Sequence, residues 1–124
     1  MVQWHGKSRR KPSGSRYRHF RKKKKRELGR PSAETLIGET RKKIVRTRGG
    51  NRKYRLLRAN KAVVSDNAGK STLVEIIDVK GNPANKDFAR RKIITKGAII
   101  ETPLGDARVT GRPGQMGTIE AVLL

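Results

Sequence analysis

Six consecutive cations, Arg21 to Arg26, constrain this chain more than any other stretch. Like charges in a row repel one another and cannot enter an apolar core without partners. Alone in water such a segment is expected to lack order, and to gain it only against a dense array of negative charge. Glu27, Leu28 and Gly29 interrupt the run just before Arg30 and Pro31. The chain must therefore divide into a part that seeks a polyanion and a part that can bury a core.

The distribution of charge follows that division. The 124 residues carry a formal charge of +22. Residues 1–58 hold 22 Lys and Arg against Glu27, Glu34 and Glu39, a net +19. Residues 59–124 hold 10 against 7 acids, a net +3. Such an excess costs stability through self-repulsion and calls for a partner of opposite charge. Nucleic acid is the densest common candidate. An anionic membrane usually asks for an amphipathic basic helix or a lipid anchor, and the basic stretch has neither an apolar face nor a Cys. Zero Cys excludes disulfides and thiolate metal sites and is compatible with a reducing intracellular compartment. The opening residues, Met-Val-Gln-Trp-His-Gly-Lys, lack the apolar region of a secretory signal, and no run is long enough for a membrane helix.

Residues 1–40 read as a basic, irregular extension and linker, with Pro12, Gly14 and serines scattered among cations. Residues 41–124 read as short β-rich runs divided by turn signals. The strand candidates are Lys42–Arg48, Tyr54–Ala59, Ala62–Ser65, Ser71–Lys80, Gly97–Thr102, Ala107–Thr110 and Gly117–Leu124. Ser71–Lys80 is nearly continuously apolar from Leu73 to Ile77, which points to a central strand. Ala84–Arg91 fits either a short helix capped by Asn82, with Pro83 at its first position, or a wide hairpin. The spacing of these runs predicts an all-β fold: a small β-barrel body carrying a long basic, irregular N-terminal extension.

Candidate chemistry is sparse. His5 and His19 both fall in the basic extension, where no rigid acid–base or metal constellation is evident, so no catalytic residue, metal site or cofactor is expected. Gly49-Gly50 and the 111–117 loop do not match a phosphate-binding loop and read as turns. Aromatic rings interleaved with cations suit stacking on unpaired bases and contact with phosphates. The candidate RNA-binding residues in the extension are Trp4, His5, Lys7, Arg9, Arg10, Lys11, Arg16, Tyr17, Arg18, His19, Arg21, Lys22, Lys23, Lys24, Lys25, Arg26 and Arg30. On the body they are Arg46, Arg48, Arg52, Lys53 and Arg55, around the Gly49-Gly50 turn. No helix-turn-helix, zinc finger or zipper is visible, and an irregular arm suits folded RNA. A chromosomal DNA-packaging protein is the alternative from another class.

Several blocks resemble a known family. Trp4-His5, the run Lys22–Gly29, Arg30-Pro31-Ser32-Ala33, Ile37-Gly38, Val45–Arg55 and Ile76-Ile77-Asp78-Val79 resemble the eighth e-type family of small-subunit ribosomal proteins, in its compact archaeal form. Where the family usually has Thr-Gly-Gly, this chain has Ser13-Gly14-Ser15. The resemblance implies a β-barrel body with its extension buried in small-subunit ribosomal RNA. It also implies a structural role in assembly and translation, with neighbouring ribosomal proteins as partners in the cytoplasm. A transient assembly factor is the alternative within that resemblance. No enzyme activity, membrane or small-molecule substrate is implied.

Overall fold

A computed structural model describes residues 3–18, 20–66 and 68–124. The chain forms two compact units, one up to Ser32 and one from Ala33 to Leu124.

The first unit has little regular structure because its residues alternate in neither period. It is folded back on itself through a few backbone bonds. Trp4 and Leu28 form an isolated antiparallel bridge, and the Gly29 N–H donates to the Gln3 carbonyl at 2.6 Å. A second bridge joins Arg10 to Arg16 around the turn at Pro12-Ser13-Gly14. Gly14 takes φ +84, and the following Ser15 does not have a positive φ. The one left-handed position of that turn is therefore held by glycine, and Ser15 is accommodated without strain. Lys25–Glu27 forms a single 3-10 turn.

The second unit is mostly sheet. Its strands are β1 (Leu36–Ile37), β2 (Arg41–Arg46), β3 (Arg52–Ala59), β4 (Lys61–Ser65), β5 (Ser71–Glu75), β6 (Asp78–Gly81), β7 (Ile99–Thr102), β8 (Gly105–Val109) and β9 (Glu120–Leu123). They form a three-stranded sheet, β1-β3-β2, and a six-stranded sheet, β5-β4-β9-β8-β7-β6, curled into a half-barrel. The β4–β9 pair is parallel, and β2 and β3 form a long antiparallel hairpin. Alternation decides which residues go inside. Ala62 and Val64 on β4, Ala107 and Val109 on β8, and Ala121 on β9 are buried, while their neighbours along each strand point outward. Leu56, Ile76, Val79, Ile94, Ile100 and Ile119 complete the core.

Two expectations need correction. Ser71–Lys80 is not one central strand. It divides into β5 and β6, which lie at opposite ends of the six-stranded order. The break falls at Ile76 and Ile77: the Ile76 N–H donates to the Asn60 carbonyl at the β3–β4 junction, and the Ile77 N–H donates to Glu101 on β7. The chain thus leaves one edge of the curled sheet and joins the other. The apolar run belongs to a corner, and its outward members Leu73 and Ile77 remain exposed.

The second correction concerns Asn82, which does not cap the helix α1 (Lys86–Arg90). Asn85 does, its side chain accepting from the Asp87 N–H. Asn82 is buried and bridges three groups instead. It donates to the Ile93 carbonyl and Thr95 Oγ1, both at 2.9 Å, and accepts from the Ala84 N–H.

Thr35 joins β3 to the Ile94 segment that precedes β7. It is fully buried, its Oγ1 donates to the Leu56 carbonyl at 2.7 Å, and its own carbonyl accepts from the Ile94 N–H. Within the expected 111–117 loop lies a second short helix, α2 (Pro113–Met116), which ends at Gly117, φ +80. A Cβ at Gly117 would lie 2.7 Å from that of Tyr54, so α2 sits tightly beside β3.

Replacing Asn82 with Ala orphans the Ile93 carbonyl and the Ala84 N–H. Asn82→Ala is therefore expected to destabilise the protein by about 1–3 kcal/mol, read as a lower midpoint in a urea titration. An unchanged midpoint would show that water replaces the bridge.

Candidate nucleic-acid interface

The N-terminal unit is organised around its single carboxylate. Among residues 3–32, Glu27 is the one acid beside thirteen Lys and Arg. Arg21 donates to it through Nη2 at 2.5 Å and Nη1 at 3.3 Å. The Lys24 backbone N–H reaches it at 3.2 Å, and Trp4 Nε1 at 3.3 Å. The Glu27 carbonyl also accepts from the His5 N–H at 2.8 Å. One residue thereby ties Trp4 and His5 to Arg21 and Lys24. These donors hold the carboxyl at about 2, Arg21 contributing most, then the Lys24 N–H, then Trp4.

Around this clasp the cations and rings lie together. Arg9 and Lys23 both sit over the half-buried Trp4 ring, at 5.6 and 5.9 Å from its centroid. Lys11 lies over Tyr17 and Arg21 over Phe20. An open concavity of about 810 Å³ is lined by Trp4, His5, Lys7, Arg10, Tyr17, Arg18, Phe20, Arg21, Lys22 and Lys23. Phe20 is 90 % exposed, an unusual position for a phenyl ring without a partner surface. Arg16, Lys24, Lys25, Arg26 and Arg30 are exposed as well. His19, one of the expected RNA-binding residues, lies outside the described residues.

The second basic surface is the β2–β3 hairpin. Its register sets Arg41 opposite Arg58, Lys43 opposite Arg55 and Arg46 opposite Arg52. Like charges directly opposed across strands are destabilising in water, and the segment between Thr40 and Asn60 contains no Asp or Glu of its own. On and beside the six-stranded sheet, cations pair with acids. Lys80 pairs with Asp106 at 2.7 Å and Glu101 at 3.7 Å, and Lys92 with Asp78 at 2.9 Å. Accordingly Lys80 is raised, by Asp106 first, and Asp78 is lowered, by Lys92 first.

The turn of the hairpin is a 3-10 turn, Arg48–Gly50, with Gly49 and Gly50 at φ +70 and +74. A Cβ on Gly50 would meet nothing within 4 Å, so backbone conformation alone asks for glycine there.

The expected body residues Arg46, Arg48, Arg52, Lys53 and Arg55 all lie on this hairpin. The sequence-based set leaves out Arg41, Lys42, Lys43 and Arg58, which the register brings into the same ladder. Their signal was the unbroken cationic content of Arg41–Arg58, but the opposition of like charges follows only from strand pairing. Among the described residues no group of His, Asp or Glu is arranged to hold a metal ion. No helix among them is long and apolar enough to cross a membrane.

Together these features define a small, strongly basic β-protein with its cations concentrated in one unit and one hairpin. Known proteins match it over nearly its whole length. The family described as ribosomal protein S8e matches residues 4–124. A small ribosomal subunit protein eS8 from Methanoculleus marisnigri is 52% identical over 124 residues, covering 99% of each chain. One from Methanococcus aeolicus is 54% identical over 123 residues, covering 98% of this chain and 96% of its own. Another from Methanobrevibacter smithii is 54% identical over 120 residues, covering 96% of both. The chain belongs to the ribosomal protein S8e family, which is a structural small-subunit family and not one of enzymes.

The depressed Glu27 carboxyl makes the clasp pH-dependent in a defined direction. Its folded value lies below the ordinary 4.5, so its contribution is complete above about 4.5 and is lost as pH falls through about 2. Emission from Trp4, the sole tryptophan, should hold steady from neutral pH to about 4 and shift only toward about 2. In Glu27→Gln the shifted emission should already be present at neutral pH. A wild-type midpoint in the ordinary carboxylate range would rule the clasp out.

Proposed function

We propose that this protein is a structural RNA-binding constituent of the cytoplasmic small ribosomal subunit, acting in its assembly and in translation. In this reading the basic extension expected over residues 1–40, of which the part up to Ser32 is a unit of its own, threads between ribosomal RNA segments, and the β-rich body, which takes in Thr35 and β1 along with residues 41–124, anchors it. The other occupants of its surface are neighbouring ribosomal proteins. The observation that carries the reading is the charge imbalance of the N-terminal unit, where one carboxylate is set against thirteen cations. That carboxylate is spent on shaping the segment, so the remaining cations of the unit meet no second acid within it. Phosphates supply the missing charge, and the exposed Phe20 and Tyr17 offer rings on which unpaired bases stack. Most of these contacts neutralise and position phosphates and read little base sequence. Family membership supports the small subunit as the destination.

Binding of the full chain to small-subunit ribosomal RNA tests this. With about ten phosphate contacts, log K should fall against log salt with a slope of roughly −7 to −9. Replacing Lys22, Lys23, Lys24 and Lys25 with Gln should reduce the slope by about 3. A slope unchanged in that variant would sink the role of the run. Competition by duplex DNA at lower concentration than by ribosomal RNA would instead favour a DNA-packaging protein. Presence on precursor particles and absence from mature subunits would favour an assembly factor.

A further inference from the structure

We propose that β5 is a docking edge for another protein: an extended segment of a neighbouring ribosomal protein adds to it as a further strand of the curled sheet. The inference rests on the small-subunit reading above and names where one protein partner sits.

β5 stands at one end of the order β5-β4-β9-β8-β7-β6 and pairs with β4 alone. The register fixes where its backbone groups point. At one limit of the β4–β5 ladder the Asp66 N–H donates to the Lys70 carbonyl at 2.9 Å, and at the other the Ile76 N–H donates to the Asn60 carbonyl at 2.8 Å. Hydrogen-bonded pairs alternate along an antiparallel ladder. Between those limits, then, Val64 with Thr72 and Ala62 with Val74 exchange the bonds. The N–H and C=O groups of Ser71, Leu73 and Glu75 point the other way, out of the sheet's edge. The side chains of the same three residues lie on the outward face, opposite Ser65, Val63 and Lys61. Leu73 is 65 % exposed, in a row with the half-buried Val63, and Val122 on β9 is exposed on the same face.

Open edges invite pairing, and chains normally blunt them with short strands, Lys or a covering element. The other edges here are handled in those ways. β1 is two residues long, β2 carries Arg41, Lys42, Lys43 and Arg46, and α1 packs beside β6. β5 reads Ser-Thr-Leu-Val-Glu, with no Lys or Pro and with leucine at its centre. Charge then selects the occupant. Residues 41–59, the β2–β3 hairpin, hold nine Lys and Arg and no acid. Residues 61–75, the β4–β5 hairpin, hold Lys61 and Lys70 against Asp66 and Glu75, a net of zero, and Glu120 lies opposite Val63. A phosphate backbone gains no net attraction along this edge. A second copy could pair β5 with β5, but two chains of +22 repel. A strand of another protein satisfies both features: its main chain completes the ladder, and an apolar side chain covers Leu73.

The test places a photoreactive side chain at Ser71 or at Glu75 in the full-length chain, incorporates the chain into small subunits and sequences the cross-linked products. Both positions should cross-link to one segment of one other subunit protein, at sites about four residues apart, because side chains on one face of a strand recur at every second residue. Adding Leu73→Lys to either chain puts a charge on the edge and should abolish the cross-link while the chain still enters subunits. Cross-links to RNA, to a second copy of this chain or to unrelated segments would overturn the strand addition and leave the small-subunit reading standing. So would the absence of any cross-link, or cross-links that persist in Leu73→Lys. Failure of the unsubstituted chain to enter small subunits would overturn that reading and this inference with it.

Discussion

A cation cannot be buried without a partner, and this chain has 32 of them against 10 acids. The rest of the structure follows from where the scarce acids are placed. Most lie in the second half, where Asp78, Glu101 and Asp106 pair with Lys92 and Lys80 on the outside of the curled sheet. With charge settled there, alternating Ala, Val and Ile residues close a core. The β2–β3 hairpin is given no acid and emerges from the core beyond Leu56 as a cationic ribbon. The N-terminal unit is given one, which organises it without neutralising it.

That single carboxylate gives the clasp its logic. Glu27 accepts from a guanidinium, a backbone N–H and an indole N–H at once. A carboxylate with such donors stays charged well into acid. A basic segment held in a defined loop has less conformational entropy to lose on meeting a polyanion than a random one. Charge supplies the attraction in this scheme, and the clasp limits its entropic cost.

Legibility in the sequence varied by element. β3, β4 and β9 were readable because each is a short run with apolar content set off by turn residues. The basic stretch Arg21–Arg30 was readable in amount but not in arrangement: the acid at 27 looked like a break in the run, not its anchor. Ser71–Lys80 misled because a continuous apolar run says that residues are near a core, not that the chain is straight. The bend at Ile76-Ile77 depends on which carbonyls are nearby, those of Asn60 and Glu101, and both are remote from it in sequence. Asn82 and Asn85 are equally good caps by type. Burial against Ile93 and Thr95 claimed the first and left the second to cap α1.

By itself, then, the sequence determined the class of partner, the β-rich body and the basic residues concerned, because charge density and alternation are local properties of the chain. The tertiary structure alone decided which cations oppose one another, which face of the hairpin each occupies, and which single acid gathers the N-terminal unit. Those are consequences of register and of backbone groups brought together from distant positions. At the base of the hairpin that pairing meets the packing of Leu56 and its bond from Thr35, and no local pattern encodes it.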